Sequence, residues 1–181
     1  NLSVSFIGYL NSDFQPVPIE RKETPTHTSK NAFCALTFPR HNFLSQFEKL
    51  KGKVKGVIAI DYAGHPCDWE ALKEISEKYE LQLVDDSSHA LGATYKNKPQ
   101  GSCKYADVTI FSFHPVKIIT TAEGGAALTN NQQLLERMQI FRSHGITRDK
   151  SLMKNSDEGD WYYEQVGLGF NYRMTEMQAA L

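Results

Sequence analysis

Apolar and polar positions follow two different periods along this chain, and together they predict an α/β fold from residue 54 onward. Residues 54–60 form a short, apolar, β-branched run, which is typical of a strand buried on both faces. Asp68 can then cap a helix, because apolar residues recur behind it at helical spacing. Residues 81–84 predict the next strand, so strand, helix and strand form a βαβ unit with two parallel strands.

The second half of the chain continues this alternation of strands and helices. Residues 108–113 and 126–129 predict two more strands. Asn130 or Asn131 can cap a second helix, whose apolar face holds Leu134, Leu135, Met138 and Phe141. Residues 149–160 are charged and polar, which favours an exposed loop. The predicted fold class is therefore α/β, with a mostly parallel sheet and flanking helices.

The two ends of the chain are less informative. Residues 4–9 and 32–38 look like short strands around a polar, proline-bearing segment, so residues 1–50 stay an unassigned N-terminal segment. Residues 51–181 form the assignable domain. The chain starts at Asn1, and its last residues are strong helix formers without a stop signal. We therefore expect it to be part of a longer protein.

Composition and charge narrow the choice of partners. Twenty basic residues stand against 21 acidic ones, so we expect neither nucleic acid nor an anionic membrane as a partner. Cys34, Cys67 and Cys103 are odd in number and widely spaced, which indicates free thiols and a cytoplasmic location. His65 with Cys67, and His114 with Cys103, could each supply two metal ligands. No second close pair completes a set of four ligands, so no metal site is expected.

Candidate chemistry gathers at the predicted strand ends, where open α/β sheets bind ligands. Asp86 ends the second strand of the βαβ unit, and Lys117 follows the strand at 108–113. Neighbouring strands would bring their backbones to about 5 Å, and one intervening strand to about 10 Å. An amine and a carboxylate so placed suit pyridoxal phosphate (PLP), which needs a lysine at its aldehyde and an acid at its pyridine nitrogen. Position alone favours a plainer interpretation, with Asp86 in a turn and Lys117 as a solvated charge.

Nearby residues fit the same cofactor without requiring it. His89 could pack on a ring face, and Ser112 with the amides around Gly124 could donate to a phosphate. Each also has an ordinary structural interpretation as a buried histidine, a strand end or a tight turn. Paired acids and a lysine also occur in phospho-acceptor receiver domains. These domains need a further aspartate on a separate strand, between the strand that carries the paired acids and the strand that carries the lysine. The stretch from Asp86 to Lys117 leaves little room for that strand.

Four motifs in this order resemble one known family, the DegT/DnrJ/StrS family of fold-type I, PLP-dependent nucleotide-sugar aminotransferases. They are VDDSSHALGA at 84–93, FSFHPVKIITTAEGGA at 111–126, RSHG at 142–145 and LGFNYRMTEMQAAL at 168–181. The stretches DYAG, SSH and TTAE look closest to the branch that aminates the C4 keto group of a UDP-linked 4-keto-6-deoxy sugar for pseudaminic acid.

The resemblance implies roles for individual residues. Lys117 is the lysine that bonds PLP, Asp86 pairs with the pyridine nitrogen, His89 lies close to the ring and Ser112 binds the phosphate. Asn171 resembles the asparagine that reaches the phosphate of a neighbouring subunit's cofactor, which implies a homodimer.

The resemblance also implies a ping-pong transamination from an amino acid, glutamate, to a UDP-linked keto sugar. The family's N-terminal phosphate loop and C-terminal small domain are not recognisable in this sequence. The chain therefore corresponds to a partial large domain, and an inactive fragment is an alternative. Dehydratase relatives, another alternative, carry histidine in place of the Schiff-base lysine, and Lys117 argues against them.

Overall fold

The centre of the protein is a six-stranded sheet. In the computed structural model, residues 3–5, 32–36, 54–155 and 158–181 are described, the first two ranges by their backbone. The sheet consists of β1 (Ser3–Ser5), β2 (Ala32–Leu36), β3 (Val54–Ile60), β4 (Gln82–Asp86), β7 (Val108–Ser112) and β8 (Gly125–Thr129). A small hairpin comprises β5 (Thr94–Tyr95) and β6 (Lys98–Pro99), and a second one comprises β9 (Ile146–Thr147) and β10 (Glu164–Gln165).

The order of strands across the sheet is β1-β8-β7-β4-β3-β2. β2, β3, β4 and β7 run parallel to one another, whereas β8 is antiparallel to both β7 and β1. The predictions of an α/β fold and a mostly parallel sheet are confirmed. The register places Ile60 beside Asp86, and Asp86 beside Ile110, so the carboxyl ends of three strands meet at one edge.

Helix α1 (Trp69–Tyr79) connects β3 to β4 as the pattern predicted. The Asp68 carboxylate accepts a hydrogen bond from the Ala71 N–H at 3.3 Å, which satisfies one of the free amides at the helix start. The helix ends at Glu80, which adopts the left-handed conformation.

The main core lies between α1 and the sheet. Trp69 is its largest buried side chain, and Ile75 is buried beside it, while Leu72 and Tyr79 pack against the cluster from its margin. The predicted apolar stripe of α1 thus faces the sheet. The remaining core members are Val54, Val57, Ala59, Leu81, Leu83 and Ala106.

Helix α2 (Gln132–Arg142) follows β8, and its N-cap is Asn131, whose side chain accepts from the Leu134 N–H at 3.1 Å. Leu135 and Met138 are buried, and Phe141 meets Phe170 edge to face at 5.3 Å. The described part of the predicted loop at 149–160 is mostly exposed and contains one short 3-10 turn, Lys150–Leu152.

The chain closes with α3 (Glu176–Ala179), a short helix with a capping box between Thr175 and Gln178. It is shorter than the helical composition of residues 174–181 predicted. In the N-terminal segment, the predicted strands are seen as β1 and β2, and the rest of residues 1–50 lies outside the described residues.

Candidate active site

A cavity of about 690 Å³ opens at the carboxyl ends of the parallel strands. That volume is in the range of pockets that hold small molecules and cofactors. Four of the five predicted site residues line it, and they come from separate segments that the sheet brings together. These residues are Asp86, His89, Ser112 and Lys117.

Lys117 belongs to the loop that joins β7 to its antiparallel neighbour β8. The loop is pinned at its base, where the Phe113 N–H donates to the Gly124 carbonyl at 2.9 Å. The Lys117 N–H donates to the His114 carbonyl at 2.9 Å and closes a turn. Lys117 is half-buried and lines the cavity, whereas Val116 beside it is 79% exposed. The turn therefore directs the amine-bearing residue, not its apolar neighbour, to the site.

Asp86 is the last residue of β4 and is 8% exposed. Its Oδ1 accepts hydrogen bonds from the Ser88 N–H, at 3.1 Å, and from the Ser88 hydroxyl. β4 pairs directly with β7, so the strand that ends in Asp86 is next to the strand that leads to Lys117. Of the two predicted arrangements, the one with neighbouring strands is therefore the one observed.

His89 follows Asp86 by three residues and forms another part of the wall. Its ring lies 5.6 Å from that of Tyr62, at a tilt of 50°. Gly64 allows the turn that carries Tyr62 to lie close to the His89 backbone. A Cβ at Gly64 would lie 3.1 Å from the His89 carbonyl oxygen, and this glycine has a φ of +80°.

Two further carboxyl groups are buried behind Asp86. Asp61 is fully buried at the end of β3, and Asp85 is 4% exposed. Burial raises the pKa of Asp61, although hydrogen bonds from Cys67 and Ser87 oppose it. Burial, reinforced by the nearby charge of Asp61, raises the pKa of Asp85 to about 7.

Several lining residues received no role from the sequence. Tyr62 follows Asp61 at a strand end, so the strand-end rule that located Asp86 could also have located it. The lining residues from the C-terminal motif at 168–181 do not follow a strand end, and their place at the cavity depends on tertiary docking. The Gln178 side-chain amide donates to the Glu123 carbonyl at 3.1 Å and to the Thr121 carbonyl at 3.3 Å. The lining residues without a predicted side-chain role include Ile60, Tyr62, Ser88, Glu123, Tyr172, Arg173, Met174 and Gln178.

Asn171, the fifth predicted residue, is exposed and forms an isolated antiparallel bridge with Ser143. Its neighbours Tyr172 and Arg173 line the cavity. Its predicted contact with a second subunit stays a prediction.

Comparison with known proteins decides the family. The model of the DegT/DnrJ/EryC1/StrS aminotransferase family matches residues 46–181. The chain belongs to this family. The predicted resemblance to it is confirmed, as is the fold class of a partial fold-type I PLP-dependent transferase domain.

Individual family members agree with this assignment. The UDP-4-amino-4,6-dideoxy-N-acetyl-beta-L-altrosamine transaminase of Helicobacter pylori is 43% identical over 129 residues, covering 71% of this chain and 32% of that protein. The solved structure of Helicobacter pylori PseC, an aminotransferase involved in the biosynthesis of pseudoaminic acid, aligns with a TM-score of 0.65 and 40% identity. That alignment covers 74% of this chain and 33% of PseC.

A sugar aminotransferase named Spr1654, from Streptococcus pneumoniae, has been solved in a PLP form. It aligns with a TM-score of 0.63 and 32% identity, over 78% of this chain and 38% of its own. The present family member spans about a third of the length of the curated relatives it matches.

Other classes of site find no support in the described ranges. There, no group of three or more His, Cys, Asp or Glu side chains could hold a metal ion. None of the helices in the same ranges is long and apolar enough to cross a bilayer. Cys67 and Cys103 are free thiols, and the side chain of Cys34 lies outside the described residues.

Proposed function

We propose that this protein is a PLP-dependent aminotransferase that moves an amino group from an amino acid, glutamate, to a nucleotide-linked keto sugar. Lys117 and Asp86 support this function most directly, because both line one cavity at the edge of the sheet. The relatives named above are sugar transaminases, which supports the same reaction class. Residues 51–181 form part of the PLP-binding large domain.

The residues around the cavity fit PLP. The aldehyde and pyridine nitrogen of this cofactor require an amine and an acid, which Lys117 and Asp86 supply, and the hydroxyl of Ser112 and the imidazole of His89 suit its phosphate and ring face. Gly125, which lines the cavity, allows β8 to lie close to β7, since a Cβ there would come within 2.7 Å of the Phe111 carbonyl oxygen. PLP, once bound, supplies an electron sink that stabilises negative charge on the substrate carbon.

Each of the four cavity residues has a separate task. Lys117 would hold the cofactor through Nζ and would move the proton at the reacting carbon of the substrate. Asp86 would pair its carboxylate with the pyridine nitrogen and keep that nitrogen protonated. His89, whose ring lies 5.6 Å from that of Tyr62, would lie against the cofactor ring. Ser112, at the end of β7, would donate its hydroxyl proton to the phosphate.

The nucleotide sugar and the assembly belong to the same proposal. A UDP-linked 4-keto-6-deoxy sugar is the acceptor, as in the pseudaminic acid branch that the relatives represent. Asn171 is exposed and available to a second copy of the protein, which fits a cytoplasmic homodimer with shared sites. The alternatives are a PLP-fold protein without transaminase activity and an inactive fragment.

Covalent trapping tests the assignment of the lysine. Purified protein is incubated with PLP, reduced with borohydride and digested, and the labelled peptide is identified by mass spectrometry. We expect the label on Lys117, and we expect Lys117→Ala to lose it together with the absorbance of the bound cofactor. Lys98→Ala, which removes an exposed lysine in β6, is the matched control and should label as the wild type does.

Two results would contradict the assignment. One is a label on a different lysine of the wild type, and the other is an unchanged absorbance in Lys117→Ala. If PLP labels Lys117 but no amino group passes from glutamate to the keto sugar, the protein binds the cofactor without being a transaminase.

A further inference from the structure

Behind the cavity wall, Asp61 connects three segments of the chain. It is fully buried at the end of β3. Its Oδ1 accepts from the Cys67 N–H at 2.8 Å, and its Oδ2 is approached by the Ser87 hydroxyl at 3.2 Å and by the Gln100 side-chain amide. The Asp61 N–H also donates to the Asp86 carbonyl at 3.1 Å. Backbone and side chain of one residue thus connect β3, the end of β4 and the loop at 100.

Ser87 couples Asp61 to a second carboxyl group. Its Oγ lies 2.8 Å from Asp85 Oδ1 as well as 3.2 Å from Asp61 Oδ2. A hydroxyl carries one proton and can donate to one of these oxygens at a time. Two unprotonated carboxylates facing one hydroxyl inside the protein would repel each other, so the stable arrangement holds one additional proton. The Thr109 hydroxyl donates to the other oxygen of Asp85 at 3.1 Å.

Ser87 lies between the two residues that the site uses from this segment. Asp86 precedes it and His89 follows it, and the Ala90 N–H donates to the Ser87 carbonyl at 2.9 Å to close the turn. The Ser87 side chain points away from the cavity to the buried carboxyl groups, whereas Asp86 and His89 line the cavity. Anchoring Ser87 from behind therefore fixes the backbone that carries both cavity residues.

We propose that Asp61 is a positioning residue of this site, which holds the turn from Asp86 to His89 in place through its hydrogen bonds to the Ser87 hydroxyl and the Asp86 carbonyl. Asp61 also directly precedes Tyr62, whose ring lies 5.6 Å from that of His89. The effect on the cofactor rests on the proposed function, whereas the effect on the turn does not. Asp61 is not among the residues that line the cavity.

Asp61→Ala is the sharpest substitution, because it removes the oxygen that faces the Ser87 hydroxyl and puts no new hydrogen-bonding group in its place. Asparagine would not serve, since its amide could donate to the Ser87 oxygen and keep the connection. Asp68→Asn is the control, since Asp68 lies in the same turn-to-helix segment and asparagine is an equally good N-cap. Ser87→Ala removes the connecting hydroxyl alone and serves if Asp61→Ala does not fold.

Two measurements separate positioning from general destabilisation. In protein without PLP, hydrogen–deuterium exchange of residues 86–92 should rise roughly tenfold or more in Asp61→Ala, as expected for loss of at least one buried hydrogen bond. Exchange in α2, on another part of the sheet, should stay unchanged. With PLP, the Kd for the cofactor should rise roughly tenfold and the pH midpoint of its absorbance should move by about one unit. Asp68→Asn should change none of these values.

Unchanged exchange at 86–92 together with an unchanged PLP midpoint in folded Asp61→Ala would overturn the proposal. If Asp61→Ala does not fold, wild-type exchange at 86–92 in Ser87→Ala overturns it as well. Failure of the wild type to label Lys117 would instead refute the proposed function. The exchange measurement in the protein without PLP would still decide the role of Asp61 in that case.

Discussion

Replacing Asp85 by asparagine should change how stability depends on pH. Asp85 is 4% exposed, and burial raises its pKa from 3.8 to about 7. The folded protein therefore binds this proton more tightly than the unfolded chain does. Between about pH 4 and 7 the folded state holds more protons, so the free energy of unfolding falls as pH rises. Below pH 4 both states are protonated and the penalty disappears.

The size of the effect follows from the shift. Each pKa unit corresponds to 1.36 kcal/mol, so a rise of about three units costs about 4 kcal/mol at pH 8. An asparagine side chain at this position has no charge to bury, and its amide can still bond to Ser87 and Thr109, whose hydroxyls accept as well as donate. We therefore expect Asp85→Asn to match the wild type near pH 4 and to exceed it by a few kcal/mol at pH 8.

Urea unfolding at several pH values between 4 and 8, followed by tryptophan fluorescence, measures this difference. The difference between the unfolding free energies of variant and wild type cancels the opposite contributions of Glu70, Asp149 and Glu164, acids whose pKa values hydrogen bonds lower. Asp160→Asn, at an exposed site, is the control and should give a flat difference. A flat difference for Asp85→Asn as well would refute the burial of an uncompensated charge at this position.

Two more predictions concern the core and the thiols. Trp69→Ala should cost about 3–5 kcal/mol of unfolding free energy because the indole is 1% exposed, whereas Trp161→Ala, at 71% exposure, should cost less than about 0.5 kcal/mol. Equal costs in denaturant titrations would contradict the described core. Burial, with the charge of Asp61, raises the pKa of Cys67 to about 12, so iodoacetamide at pH 8 should label it in urea but not in the folded protein. Mass spectrometry measures the labelling, and a labelled Cys67 in the folded protein would contradict this prediction.

The sequence predicted those elements whose signals are local. β3 is rich in β-branched and apolar residues, and α1 has its cap and apolar stripe within a few turns, so both were predicted close to their observed bounds. The hairpin of β5 and β6 was missed, although Lys96 and Asn97 occupy its turn with positive φ. An asparagine there is a known cue for such turns, but a lysine at the first position obscured it.

The site could be predicted in part for the same reason. Asp86 and Lys117 follow strand ends, and strand ends meet in a parallel sheet whatever the loops do. The burial of Asp61 and Asp85 could not be predicted, because it depends on partners far away in the chain. These partners are Ser87 and Gln100 for Asp61, and Thr109 for Asp85. Composition predicted a helix at the C-terminal end, but not the hydrogen bond by which Gln178 docks it on the Lys117 loop.

The antiparallel return from β7 to β8 has a consequence for how this site can change during evolution. Ser112 and Gly125 lie opposite each other in the ladder, so the loop that carries Lys117 starts and finishes at adjacent positions of the central sheet. Because the entropic cost of closing such a loop grows slowly with its length, insertions near the exposed Val116 should lower the stability of the fold very little. Replacement of the amine-bearing residue can therefore give rise to a different chemistry on an unaltered scaffold.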